Sequence, residues 1–221
     1  NLFINFTIRR MAEIFGISIF FFGIFLFVSL FTYSPNDPNF IFPENTQINN
    51  IFGFQGSFVS DLFFQSIGLL SYFVSITYII TGLKILRIKE FFLFIENTFF
   101  IVLYILAGSL FLSNFYSKTF TLYINGNGGF VGNYLNQSFL GNIIQINETI
   151  SFYLLILIGF FLFLVSINFH PLKFFEFIKK LLDTFNKKKE KIYTDKSEII
   201  SEYIPQDEIK NLIQEDLPFI K

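Results

Sequence analysis

The stretch Asn125-Gly126-Asn127-Gly128-Gly129-Phe130-Val131-Gly132 comes closest in this chain to a phosphate-binding loop. A dinucleotide loop of the form G-x-G-x-x-G would need glycine where Val131 stands, and Gly-Lys-Ser or Gly-Lys-Thr occurs nowhere. Turns with left-handed glycines are therefore the expectation for this stretch. His170 is the single histidine and cysteine is absent, so histidine metal clusters, thiolate sites, disulfides and cysteine nucleophiles are excluded. His170 stands before Pro171, and a place at a helix C-terminus suits it better than catalysis. Asp61 and Glu96 flank apolar stretches, where a carboxylate can serve a proton relay. Both lie at the stretch ends, and interface placement is expected of each. Lys187-Lys188-Lys189 has the charge to attract nucleic acid, yet it follows a membrane segment and fits anionic lipid better. No catalytic, cofactor-binding or metal-binding set is expected within the chain.

The elements that carry these residues are set by composition. Hydrophobic residues make up 52% of the 221 and charged ones 15%, against roughly 25% in ordinary soluble domains. Thirty-seven residues are Phe and only Ala12 and Ala107 are Ala, a bias that AT-rich coding explains. A soluble core of this size cannot hide so much aromatic surface. Four uncharged stretches reach the ~20 residues that cross a bilayer: 14–32, 62–83, 97–115 and 149–169. Glu13, Asp61, Glu96 and Glu148 bound them, because a charge at a helix centre costs roughly 2.5–3.5 kcal/mol. Arg9, Arg10, Lys84, Arg87, Lys89 and the lysines after 169 fall on one side, and Lys118 alone falls in the two long loops. The positive-inside rule then places both termini in the cytoplasm and the loops 33–61 and 116–148 outside. The first stretch is too long for a signal peptide core and has no A-x-A site after it, so it is expected to stay as an anchor. The fold class is all-α integral membrane, with four transmembrane helices and short amphipathic interfacial helices.

The polar segments are organised as well. Thr32-Tyr33-Ser34-Pro35-Asn36-Asp37-Pro38 ends the first span and forces a turn. From Phe130 to Ile144 apolar residues recur at helical spacing between Asn and Gln, which predicts a short helix on the outer surface rather than a fifth span. Gly16 and Gly23 share a helix face and permit close packing. Residues 1–13 form a cytoplasmic N-terminus. Residues 170–191 hold seven lysines and three acids in an amphipathic pattern along the inner leaflet. Residues 192–221 hold three lysines and seven acids and read as the start of a cytoplasmic linker. The chain is expected to be a piece of something longer.

At these motifs the sequence resembles the N-terminal four-span domain of FtsK/SpoIIIE-type DNA translocases. That family carries Thr-Tyr-Ser-Pro-x-Asp-Pro after its first span, met here by Thr32, Tyr33, Ser34, Pro35, Asp37 and Pro38. Its Asn-x-x-Gly-x-x-Gly-Ala-x-x-Ala-Asp run is matched by Asn50, Gly53, Gly56 and Asp61, with Ser57 and Ser60 in the alanine places. Gln65 and Gly68 also fit, and Gly128, Gly129 and Gly132 match a Gly-Gly-x-x-Gly in the second outer loop. The resemblance covers about Arg9 to Phe169. It implies a non-enzymatic anchor in the bacterial inner membrane that holds an ATP-driven DNA pump at the division septum, serving cell division and chromosome segregation. It also implies a homo-hexamer, contacts with the lipid bilayer and with other septal membrane proteins, and ATP, Mg and DNA bound only by a motor beyond this chain. A small polytopic transport or channel subunit is the alternative. Its sign would be ionisable residues at midspan or broken helices in paired repeats.

Overall fold

The computed structural model describes residues 2–38, 47–117, 125–171, 179, 180 and 182. Among them are helices α1 (Leu2–Phe31), α2 (Gly53–Ile67), α3 (Leu70–Ile88), α4 (Phe92–Phe115), α5 (Gly129–Gln137), α6 (Phe139–Ile146) and α7 (Glu148–Ser166), and no strand. Four helices are long and apolar enough to cross a membrane: Ile4–Phe31 of α1, and all of α3, α4 and α7. Hydrocarbon offers backbone groups no water, so a spanning segment has to satisfy them within its own helix. The hydroxyls follow the same rule. Ser29 donates to the Phe25 carbonyl at 2.7 Å and Thr77 to the Phe73 carbonyl at 2.9 Å.

Helices α1 and α3 pack along most of their length. Gly16 and Gly23 lie over Gly82–Leu86 and over Ser75 and Ile79, so backbones meet where larger residues would hold them apart. Leu26 and Leu30 of α1 then join Phe64, Ile67, Leu70, Val74, Ile101 and Tyr104 in one buried cluster. α7 lies on α4, with Phe152 against Phe111 and Phe115 and with Gly159 near Gly108. α5 rests on α4 and α2, and α6 joins α5 to α7.

The second span differs from the 62–83 window. Its helix is interrupted after Ile67, where Gly68 adopts φ 62°, and restarts as α3 at Leu70. Residues 53–67 form the separate helix α2, so Asp61 sits inside a helix rather than just ahead of a span. Lys84 and Arg87, expected between the second and third spans, lie inside α3. A hydropathy window sums composition and is blind to one glycine that turns the chain. The expected outer helix is two helices, because Ser138 ends α5 in an extended conformation and caps α6 through Leu140 N–H at 3.2 Å.

Residues 1–169 form one compact unit and 170–221 another. In the second unit only His170, Pro171, Lys179, Lys180 and Leu182 are described. The expected basic segment 170–191 and linker 192–221 otherwise lie outside the described residues.

Candidate functional site

The motif residues converge at the end of the bundle where α1 stops and α2 begins. The turn after α1 carries Asp37, which is 4% exposed. Its carboxylate accepts the backbone N–H groups of Asn49 and Asn50, both at 2.9 Å, and the Asn49 side-chain amide at 3.2 Å. Its own N–H donates to the Ser34 carbonyl at 3.2 Å. Several donors on one buried carboxylate replace the water that it gives up.

Asn50, also buried, works in the other direction. Its side-chain NH₂ donates to the Ser29 carbonyl at 2.9 Å and to the Thr32 carbonyl at 3.4 Å. Those are C-terminal carbonyls of α1, which lack partners within the helix. Its Oδ1 accepts Phe52 N–H at 3.1 Å, and its carbonyl accepts Gly53 N–H at 2.9 Å, which opens α2. Gly56 faces this amide, and a Cβ there would run into Asn50 Oδ1. Ser57 donates to the Pro38 carbonyl at 2.9 Å. Pro38 is buried, while Pro35 is exposed at the turn.

Tyr33 spans the same gap. Its hydroxyl donates to Asp61 Oδ1 at 3.1 Å, and its ring meets Phe64 edge-on at 4.9 Å between centroids. Burial, then the adjacent Asp61 carboxylate, pushes the Tyr33 phenol well above its usual range. Gln65 donates to the same Asp61 oxygen at 3.4 Å. Its carbonyl and side-chain oxygen in turn accept the Asn125 amide at 3.1 and 3.3 Å.

The glycine stretch docks here. Leu69 N–H donates to the Asn127 carbonyl at 2.9 Å. Gly68 and Gly129, at φ 62° and 66°, stand backbone to backbone, and a Cβ on Gly129 would lie 2.5 Å from Gly68 N. Gly128 and Gly132 present bare backbone to the Ser109 carbonyl of α4. Asn127 donates to the Tyr116 carbonyl. Asn133 accepts from Ser113 at 2.8 Å and donates to the Asn125 carbonyl at 2.8 Å. The glycines are thus taken up by chain crossing chain.

The fifteen motif residues therefore fall into one connected region, with Thr32 accepting Ile51 N–H at 3.4 Å as a further link. Sequence reasoning missed Asn125, Asn127, Asn133, Ser109 and Ser113 as its partners. The run of amides in the uncharged stretch 119–147 was the available signal for the asparagines.

A second polar cluster, at the opposite end of α3, was also missed. Asn97 of α4 is buried and donates to Thr81 Oγ1 at 2.8 Å, while its Oδ1 accepts the Asn168 amide at 3.0 Å. Lys84 places its ammonium on the carbonyls of Ile167 and, at 3.0 Å, of Asn168. Thr77 lies 3.3 Å from both the Tyr104 and the Ser166 hydroxyls. Glu96, beside Asn97, is exposed. Glu13 pairs with Arg10 and Lys89, both at 2.6 Å, near this end. Among the described residues no three His, Asp or Glu gather as a metal site would need.

Both clusters hold helices and loops in place. The model of a family described as the 4TM region of DNA translocase FtsK/SpoIIIE matches residues 8–179. No curated protein and no solved structure matches the chain.

Proposed function

This chain belongs to the 4TM family of FtsK/SpoIIIE translocases, and from that premise we propose that it tethers an ATP-driven DNA pump at the division septum of the bacterial inner membrane. Its membership makes it a multi-pass membrane anchor region, the non-catalytic part of such translocases. The septal role, in cell division and chromosome segregation, is our reading. So are the cytoplasmic placement of both termini, a hexameric assembly with septal membrane proteins as neighbours, and ATP, Mg and DNA bound by a motor joined to the chain.

The observation that carries the reading is how the polar residues are used. Asp37, Asn50, Asp61, Asn97 and Lys84 are engaged in fixing chain segments to one another. That is how an anchor is built. The orientation rests on the basic residues, with Arg9, Arg10 and Lys89 at the lysine-bearing end and the motif cluster at the other.

A fluorescent protein joined after Asn186 tests the proposal in dividing cells. The expected result is a band at the division plane, with fluorescence from a reporter that matures only in the cytoplasm. An even distribution around the cell would overturn the septal role, and a dark reporter would overturn the orientation.

A further inference from the structure

The lysine-end cluster has a place in the chain that bears on force. In the α7 span only Ser166 is buried, although the helix is almost wholly apolar. Its contacts with α4 are apolar ones that lipid tails can largely replace, so burial alone holds such a helix weakly to its neighbours. The polar bonds from α7 to the rest of the bundle are concentrated in three consecutive residues. Ser166 meets Thr77, the Ile167 and Asn168 carbonyls receive Lys84, and the Asn168 side chain donates to Asn97, which is itself bonded to Thr81. Asn168 takes φ 47°, a left-handed turn that stops the helix and aims both its carbonyl and its amide into this cluster.

The unit ends one residue later, at Phe169. Tension arriving along the chain from residue 170 onward meets Asn168 before it meets any turn of α7. We propose that Thr77, Thr81 and Lys84 of α3, with Asn97 of α4, form a mechanical stop that passes this tension into the α3–α4 hairpin and keeps α7 from being drawn out. The proposal rests on the reading of the chain as the tether of a force-generating pump. α3 suits the task, because it packs closely against α1 through Gly16 and Gly23 of α1 and its own Gly82.

The test uses the whole chain in bicelles, held by handles at its N-terminus and after Asn186 in magnetic tweezers. The measurement is the rate of the first extension step at constant tension, with a length matching the 19 residues of α7. Asn97→Leu should raise that rate about tenfold, since buried Thr81 and the Asn168 amide each lose the bond they make to Asn97. Thr81→Val, which removes one bond and keeps the shape, should raise it about threefold. Asp37→Asn weakens the opposite end and should leave the step unchanged. Equal step rates in wild type and both α3–α4 variants would overturn the proposal. So would Asp37→Asn accelerating the step as much as Asn97→Leu. The septal reading fails separately, by the localisation experiment.

Discussion

At the motif end of the bundle, buried side chains mostly bind backbone; at the lysine end, they mostly bind one another. Asp37 holds the amides of Asn49 and Asn50, Asn50 holds carbonyls at the end of α1, and Asn125 and Asn127 hold carbonyls of Gln65 and Tyr116. The lysine end joins Asn97 to Thr81, Asn168 to Asn97, and Thr77 to Tyr104 and Ser166. A side chain that binds backbone depends on the path of the chain, and that path depends on particular residues at particular offsets. A bond between two side chains on facing helices needs only a donor and an acceptor at the right depth, and many pairs serve. The first arrangement leaves a motif in the sequence and the second leaves almost none.

The largest effect should come from the glycine crossing. Gly68→Ala combines a positive φ with a collision at the Asn127 carbonyl, and should cost about 3 kcal/mol. Steric-trap unfolding in bicelles measures it. A loss below about 1 kcal/mol would mean that the two chain segments separate easily, and the motif end would be no more demanding than the other.

Next in size is Asp37→Ala, expected to cost about 2 kcal/mol, because the Asn49 and Asn50 amides lose a charged acceptor. Hydrogen exchange at those two amides should quicken by at least about tenfold, with no change in the amides of α4. Asn97→Ala at the lysine end should cost only about 1 kcal/mol, in the range of hydrogen bonds between membrane helices. Combining it with Asp37→Ala should give additive losses, since the two clusters share no partner. Marked coupling would make them one network and erase the contrast.

The smallest effect is a dependence on pH. The raised folded pKa of Tyr33 means that the phenol must stay neutral in the fold, beside Asp61. Its contribution is present below the ordinary tyrosine pKa of 10.0 and is lost as pH rises above it. The motif end should therefore loosen above pH ~10, read by exchange at the Asn50 amide. Tyr33→Phe should remove that part of the dependence, and an unaltered profile in the variant would assign it elsewhere.

Much of this was legible from residue types. The four apolar helices followed from length and charge, and the family followed from Thr32–Pro38 and Asn50–Asp61, whose turn chemistry constrains the residues tightly. The packing role of Gly16 and Gly23 was legible from their spacing. The break at Gly68 was not, because the flanking Ile67 and Leu69 keep the hydropathy continuous across it. Lys84 misled for a related reason. A lysine reads as a span end unless the carbonyls it will cap, 83 residues downstream at Ile167, are already known. Asn97 read only as the first residue of a span, since an amide carries no sign of which helix it will face.

The bond from Leu69 to Asn127 also sets an order in time. The junction between α2 and α3 closes on a carbonyl 58 residues farther along, counted from position 69 to 127. At ~5–20 residues per second of synthesis, that carbonyl follows Leu69 out of the ribosome by ~3–12 s. During that interval the N–H of Leu69 has no such acceptor, and the joint between α2 and α3 stays unfinished. The joint is completed by the arrival of the Asn125–Gly129 turn, on the same side of the membrane as the waiting α2. Docking of the second loop is thus a late step in assembly: until it reaches α2 and α3, that end of the bundle stays unclosed.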